Sequence, residues 1–257
     1  FNNADLHFLR EFRMALAAGE QDFSSVSTTR QRELAVMESA DAVLSYSDIE
    51  LEIIASHLLA SDKLFRCPWV LKAEADGKPR QERKGLAFLG GYAHPPNKVA
   101  MDWFIEKVMP ELHARRPDLD LHIWGSHIPD GSGWENQPGV VLEGYAQSLD
   151  DVFNSVFAFV APLQAGAGIK GKVLDSLAYG VPTILSPIAA EATGLVDGSS
   201  TLIAHTPEQW IQHIESLLDS DDLWERLRAN STVLRENRYS KGAGVEAMQQ
   251  VFDYLNL

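Results

Sequence analysis

The sequence predicts an α/β protein built on a doubly wound parallel sheet, preceded by a partial segment of helices and short strands. Three observations carry this. From Gly85 onward, short apolar runs alternate with amphipathic helical stretches, the pattern of a parallel sheet covered on both faces. The runs, such as Val156-Phe157-Ala158-Phe159-Val160, are near-continuous rather than alternating, as strands buried on both faces require. Several of the runs end in glycine-bearing turns, at Gly90, Gly125, Gly144 and Gly166.

In chain order, Leu6, Leu9, Phe12, Met14 and Leu16 among charges predict a helix over residues 4–18. A second helix is expected over 28–40. Ala42-Val43-Leu44-Ser45-Tyr46 reads as a short strand, and Ser47-Asp48 as the cap of a helix running to about residue 59. Trp69-Val70-Leu71 reads as another strand. Residues 73–84 are polar, carry Gly77 and Pro79, and read as an inter-domain linker. The charge run that it carries is expected to be solvated and is assigned no binding role.

The regular region then opens with the strand Leu86-Ala87-Phe88-Leu89-Gly90. A helical stretch over 99–113 carries Trp103, Phe104, Val108 and Leu112 on one stripe, and Pro110 is expected to kink or split it. Strands are expected at 119–125, 140–144, 156–160, 183–185 and 201–203, with a short helix over 149–155. Thr206-Pro207-Glu208-Gln209 is a helix start, with Thr as cap and Pro in the first turn. Helices over 223–236 and 243–255 close the chain. The expected organisation is a preceding unit over 1–72, the linker 73–84, one domain over 85–238 and a C-terminal helix over 239–257.

Composition bounds the function. Lys and Arg number 22 against 36 Asp and Glu, a net charge of −14 with no basic block, which argues against nucleic acid as a partner. The lone cysteine, Cys67, cannot form an internal disulfide and fits a reducing, cytoplasmic setting. No apolar run approaches the roughly 18 residues needed to cross a bilayer, and no signal peptide is visible. The chain opens on Phe1, directly into a helical pattern, which reads as a fragment of a longer polypeptide. The histidines form no HExxH and no Cys/His cluster, so no metal site is expected.

The stretch from Val160 to Pro182 holds the densest chemistry. Gly166 and Gly168 allow a sharp turn and close approach to a ligand. Ala167 separates them, and Ile169 precedes the first lysine. Lys170 and Lys172 follow at a helix start, where cations oppose the helix dipole unless an anion arrives. By spacing alone, a phosphate cradle and a tight turn with solvated lysines both fit; the loop is neither a P-loop nor a dinucleotide fingerprint. Asp175, one turn beyond Lys172, suits either a bidentate contact to ribose or sugar hydroxyls or a surface pair with Lys172. Gly90 and Gly91 also permit close approach, with Asn97 as a helix cap and His94 exposed in the loop. Gly125, Gly144 and Tyr145 end strands and suit either contacts to a nucleotide base or ordinary turns.

Taken together, these residues resemble a known family. Phe88-Leu89-Gly90, Asn97, Trp103-Phe104, Pro110-Glu111-Leu112, Pro117 and Leu121-His122-Ile123-Trp124-Gly125 are similar to the opening of the donor domain of retaining glycosyltransferases of family 4 (glycosyl transferases group 1). Pro162-Leu163, Gly166-Ala167-Gly168-Ile169-Lys170-Gly171-Lys172, Leu174-Asp175, Ala178 and Gly180-Val181-Pro182 resemble that family's donor-site motif, as does Glu191-Ala192-Thr193-Gly194-Leu195. Glu38-Ser39-Ala40-Asp41-Ala42 and Ser47 resemble the end of its acceptor domain. The resemblance covers about residues 30–235.

It implies the C-terminal half of a GT-B fold, two Rossmann-like domains facing across a cleft. It also implies transfer, with retention, of a sugar from a nucleoside diphosphate sugar to a glycan or lipid-linked acceptor, a hexosyltransferase-type reaction. Asp175 would bind the donor ribose, Lys170 and Lys172 would lie near the diphosphate, and Gly90, Gly91, Gly125, Gly144 and Tyr145 would approach the nucleotide. No cofactor is implied. The acceptor would bind a missing N-terminal domain, so the chain alone is expected to be inactive, and a lipid-linked acceptor would add peripheral association with the inner face of the membrane. Two departures stand out. The first acid of the family's pair would fall at Ala167, and the basic residues that often follow the first strand are replaced by Tyr92-Ala93-His94. The alternatives are a non-catalytic sugar-nucleotide-binding or scaffold module of a larger polysaccharide-synthesis protein, and a GT-B epimerase or an ordinary Rossmann enzyme.

Overall fold

The computed structural model describes residues 1–72 and 78–257 and contains two parallel sheets. The smaller sheet runs β1 (Asn2–Asn3), β2 (Val43–Ser45), β3 (Leu64–Arg66) in that spatial order. Its helices are α1 (His7–Ala17), α2 (Ser24–Ser39) and α3 (Asp48–Ala55). Leu6, Met37, Val43 and Ile54 form its core. Ser47 caps α3 as expected, its hydroxyl accepting from the Glu50 amide at 3.2 Å.

Trp69-Val70-Leu71 is not a strand. The Leu71 amide donates to the Tyr239 carbonyl at 2.8 Å, and the Trp69 ring lies against Gly171, so the segment is spent on joining distant elements rather than on a sheet edge. The third strand of this sheet is β3 instead.

The larger sheet contains β4 (Lys84–Leu89), β5 (Leu121–Trp124), β6 (Val140–Gly144), β7 (Val156–Ala161), β8 (Thr183–Leu185) and β9 (Leu202–Ile203). Their spatial order is β6-β5-β4-β7-β8-β9, all parallel. The covering helices are α4 (Pro95–Lys107), α5 (Met109–Arg115), α6 (Leu149–Phe153), α7 (Gly171–Ala178), α8 (Pro187–Ala190), α9 (Pro207–Asp219) and α10 (Asp221–Arg238). Pro110 splits the expected single helix into α4 and α5, since it has no N–H for the Glu106 carbonyl and its ring collides there. Thr206 caps α9, accepting from the Gln209 amide. The last helix, α11 (Lys241–Leu255), crosses back to the smaller sheet, where Tyr254 meets Phe65 at 5.1 Å between ring centres.

Of the expected linker, residues 73–77 lie outside the described residues. The described part of its charge run is not simply solvated. Arg83 is buried and donates to the carbonyls of Phe153 at 2.9 Å and Val156 at 3.1 Å, tying the entry of β4 to β7. Burial pulls its pKa down to about 10. Among the described residues no helix is long and apolar enough to cross a membrane.

Candidate functional site

The chain winds outward from a seam between β4 and β7: β5 and β6 lie on one side, β8 and β9 on the other. Loops leaving the carboxyl ends of two such strands diverge and open a crevice. The β4 loop supplies Gly90, Gly91 and His94. The β7 loop supplies Gly166 to Lys170.

Asn97 does not cap its helix. Pro95 and Pro96, whose fixed backbone suits the first turn, start α4 earlier, with His94 at the cap position. Asn97 is therefore buried inside the first turn, where its amide donates to the Gly91 carbonyl at 2.8 Å and its oxygen accepts from Lys172 Nζ at 2.5 Å. This side chain links the two loops. Tyr92, where the family often carries a base, is buried against Phe88 and Trp134, and burial holds its phenol far above the ordinary range.

Beside the crevice, the main chain packs tightly where β5 and β4 end. Gly125 has φ +137°, and a Cβ there would lie 1.7 Å from the Gly90 carbonyl oxygen. Gly125→Ala is expected to cost about 2–4 kcal/mol, because the backbone rather than a side chain must yield. Thermal melting measures it, and a melting temperature equal to wild type would refute the steric account.

Both lysines are turned inward. Lys170 Nζ donates to the Gly168 carbonyl at 2.7 Å, and burial pulls its pKa down to about 8. Lys172 Nζ sits 4.3 Å from the Phe88 ring centre, a cation–π contact, in addition to its Asn97 bond. Burial, with Lys170 nearby, brings its pKa down to about 7. The surface pair between Lys172 and Asp175 does not form. Asp175 is partly buried, has no hydrogen-bond or ion-pair partner among the described residues, and is pushed by burial up to about 6. It remains available as an acceptor.

The segment around α1 was not anticipated at this site. Glu50, buried in α3, reaches across and accepts from the Gly168 amide at 2.6 Å. That amide is therefore already satisfied. A Cβ on Gly168, whose φ is +66°, would lie 2.8 Å from Asp5 Cβ, so glycine is required where the preceding unit presses on the loop. Arg13 donates to the Gly166 carbonyl at 2.7 Å and makes a two-pronged contact to Glu191. No local sequence pattern marks these contacts, which join residues more than a hundred positions apart.

One cavity of about 200 Å³ results, lined by Asp5, Arg10, His94, Asn97, Gly166, Ala167, Ile169, Lys170 and Lys172 among others. The structure thus brings together the lysine-bearing loop and the β4 loop. Gly90, Gly91, Gly125, Gly144, Tyr145, Gly168 and Asp175 do not line this cavity. Gly125 and Gly144 meet each other at the ends of β5 and β6, through the Gly125 amide and the Gly144 carbonyl at 2.7 Å, and Tyr145 beside them is 68% exposed. Ala167 lines the cavity without a carboxylate; Asp5 is the acid there.

Residues 83–220 match the family model described as Glycosyl transferases group 1. A Klebsiella pneumoniae protein, described as an uncharacterized 44.6 kDa protein in the cps region, is 26% identical over 139 residues, which cover 50% of this chain and 36% of that protein. Sucrose-phosphate synthase from Thermosynechococcus elongatus superposes with a TM-score of 0.77 at 16% identity, over 99% of this chain and 67% of that one. S. aureus TarM, solved in a complex containing UDP, gives 0.75 at 14% identity, over 88% of this chain and 46% of that one. Anabaena HepE, solved with UDP and glucose, gives 0.70 at 10% identity, over 100% and 70% of the two chains. At these identities the structural likeness shows the fold. The chain spans less than half the length of the K. pneumoniae relative and of TarM.

Proposed function

Since this chain belongs to the glycosyl transferases group 1 family and has a GT-B glycosyltransferase fold, we propose that it is the donor-binding half of a retaining, family 4-like glycosyltransferase. The supporting observation is the β4/β7 crevice, where two inward-turned lysines and two glycine-rich loops converge on one cavity. A nucleoside diphosphate sugar binds there. Lys170 and Lys172 meet the diphosphate and stabilise the charge that develops on it as the glycosidic bond breaks. Asp175 accepts from the ribose hydroxyls. The strand ends at Gly125, Gly144 and Tyr145 meet the base. The acceptor, a glycan or lipid-linked glycan, binds a further part of the protein beyond this chain. TarM, HepE and the pneumococcal O-GlcNAc transferase GtfA were all solved with UDP, which makes UDP the first ligand to try.

Calorimetric titration with UDP, GDP and ADP tests the reading, and a chain that binds none of them defeats it. Ala167, where an acid is missing, favours a second reading as a binding module without catalysis. Donor binding with neither transfer nor donor hydrolysis by the longer protein would establish that one.

Asp175→Ala is expected to weaken UDP binding by roughly 10–100-fold, the loss of hydrogen bonds to a charged acceptor. A 2′,3′-dideoxy analogue should not feel the change. Equal losses for both nucleotides would remove Asp175 from the ribose. The pH profile follows from the same groups. Donor affinity rises as Asp175 loses its proton near about 6, then falls as Lys172 near about 7 and Lys170 near about 8 lose theirs. Titration of UDP-glucose, whose diphosphate keeps a constant charge through this range, measures the profile; an affinity flat in pH would contradict it.

A further inference from the structure

The lysines of the cavity are weak holders of positive charge. Lys170 and Lys172 already donate to Gly168 and Asn97, and burial disfavours their charged forms. His94 is held below its usual range by burial and by Arg10 and Lys172, so it is largely neutral near pH 7. Arg10 differs in chemistry and in origin. Its guanidinium presents a planar fork suited to two oxygens of a phosphate. It comes from α1, the element of the smaller sheet that crosses the glycine-rich loop.

Three contacts hold α1 and its lead-in there: Asp5, just before the helix, against Gly168; Glu50 of α3, which accepts from the amides of both Leu6 and Gly168; and Arg13 of α1 on Gly166 and Glu191. Arg10, three residues before Arg13, lies on the same helix face. It lines the cavity together with Lys170, Lys172 and His94. Its side-chain partner among the described residues is the carboxylate of Asp5, and the two side chains are 25% and 19% exposed, open enough to exchange partners. An oxyanion is therefore already on the guanidinium, in a cavity whose other charged or imidazole side chains are Lys170, Lys172 and His94.

We propose that Arg10 is a diphosphate contact supplied from α1, facing the lysine-bearing loop, and that Asp5 holds its guanidinium in place until the donor's phosphate oxygens take over. The proposal rests on the donor-site reading above. It places a guanidinium where Tyr92-Ala93-His94 provides none.

Titration of this chain and of its Arg10→Gln and Arg10→Lys variants with UDP and with uridine separates the possibilities. Arg10→Gln is expected to lose roughly 10–100-fold in UDP affinity with uridine affinity unchanged, and Arg10→Lys to recover part of the loss. If wild type binds UDP and Arg10→Gln binds it equally well, the proposal falls while the donor site stands. An equal loss for UDP and uridine also overturns it, by making Arg10 a support of the fold. If wild type binds none of UDP, GDP and ADP, the donor reading and the proposal fall together.

Discussion

Replacing Lys172 by methionine is expected to give a protein that melts higher than wild type but binds nucleoside diphosphates much more weakly. The ammonium is partly buried between Asn97 and the Phe88 ring, with Lys170 close enough to oppose its charge. Its folded-state pKa, about 7, lies well below that of a free lysine. The folded protein therefore binds this proton more weakly than the unfolded chain. The penalty is full below pH 7 and fades as pH rises toward the free-lysine value near about 10.4. Methionine fills a similar volume, keeps the aromatic contact through sulfur and removes the penalty, for a gain of about 1–3 kcal/mol near neutrality. The same change removes a charge-assisted contact to the diphosphate and should weaken UDP binding by roughly 30–100-fold. Melting curves at pH 6.5 and 9.5 with parallel titrations measure both halves. A lower melting temperature with unchanged affinity would make Lys172 a cross-link between α4 and α7 and nothing more.

Glu50→Ala should be among the most damaging single changes outside the apolar core. One carboxylate serves the amides of Leu6 and Gly168 through one oxygen, and Asn3 Nδ2 and Ser45 Oγ through the other. Its removal orphans donors from four segments in a site closed to water. Each buried unsatisfied group costs about 1–3 kcal/mol, so a loss of about 3–5 kcal/mol is expected after relaxation. Glu50→Gln keeps the shape and one acceptor oxygen, which can still serve the amides of Leu6 and Gly168. Burial raises the Glu50 pKa, so the folded state favours the proton, and the stability it contributes is greatest at low pH and declines as pH rises through that value. The Gln variant should therefore match wild type best in acid. Denaturant titration of the two variants decides it; an alanine variant as stable as the Gln variant would show that Glu50 does not anchor the loop.

Much of the fold is legible in the sequence because it is written locally. Val140–Gly144 and Thr183–Leu185 carry their own apolar runs and stops, and Thr206 and Ser47 announce the helices they cap. The smaller sheet is harder. Asn2–Asn3 is too short to have a pattern, and Leu64–Arg66 has a weaker apolar run than Trp69-Val70-Leu71, which forms no strand. Proline placement decided α4: two prolines at its start outweigh a good capping residue at Asn97. At the candidate site, the glycines and lysines of 166–172 are readable because one loop carries them all. Asp5, Arg10, Arg13 and Glu50 are not, since what brings them there is the packing of one sheet's helices onto the other sheet's loop.

The pairing of β4 with β7 also governs how the molecule comes into being. Lys84 lies beside Val156, Leu86 beside Ala158 and Ala87 beside Phe159, with two other strands of the same sheet between them in the chain. Such a seam closes late, because a long loop must be ordered before any of its contacts form. During synthesis, a chain that has emerged only as far as β6 has a sheet but no crevice. Once the seam is closed, a ligand lodged over it bridges segments that must separate early in unfolding, so an occupied crevice should lengthen the protein's survival against proteases more than its small volume suggests.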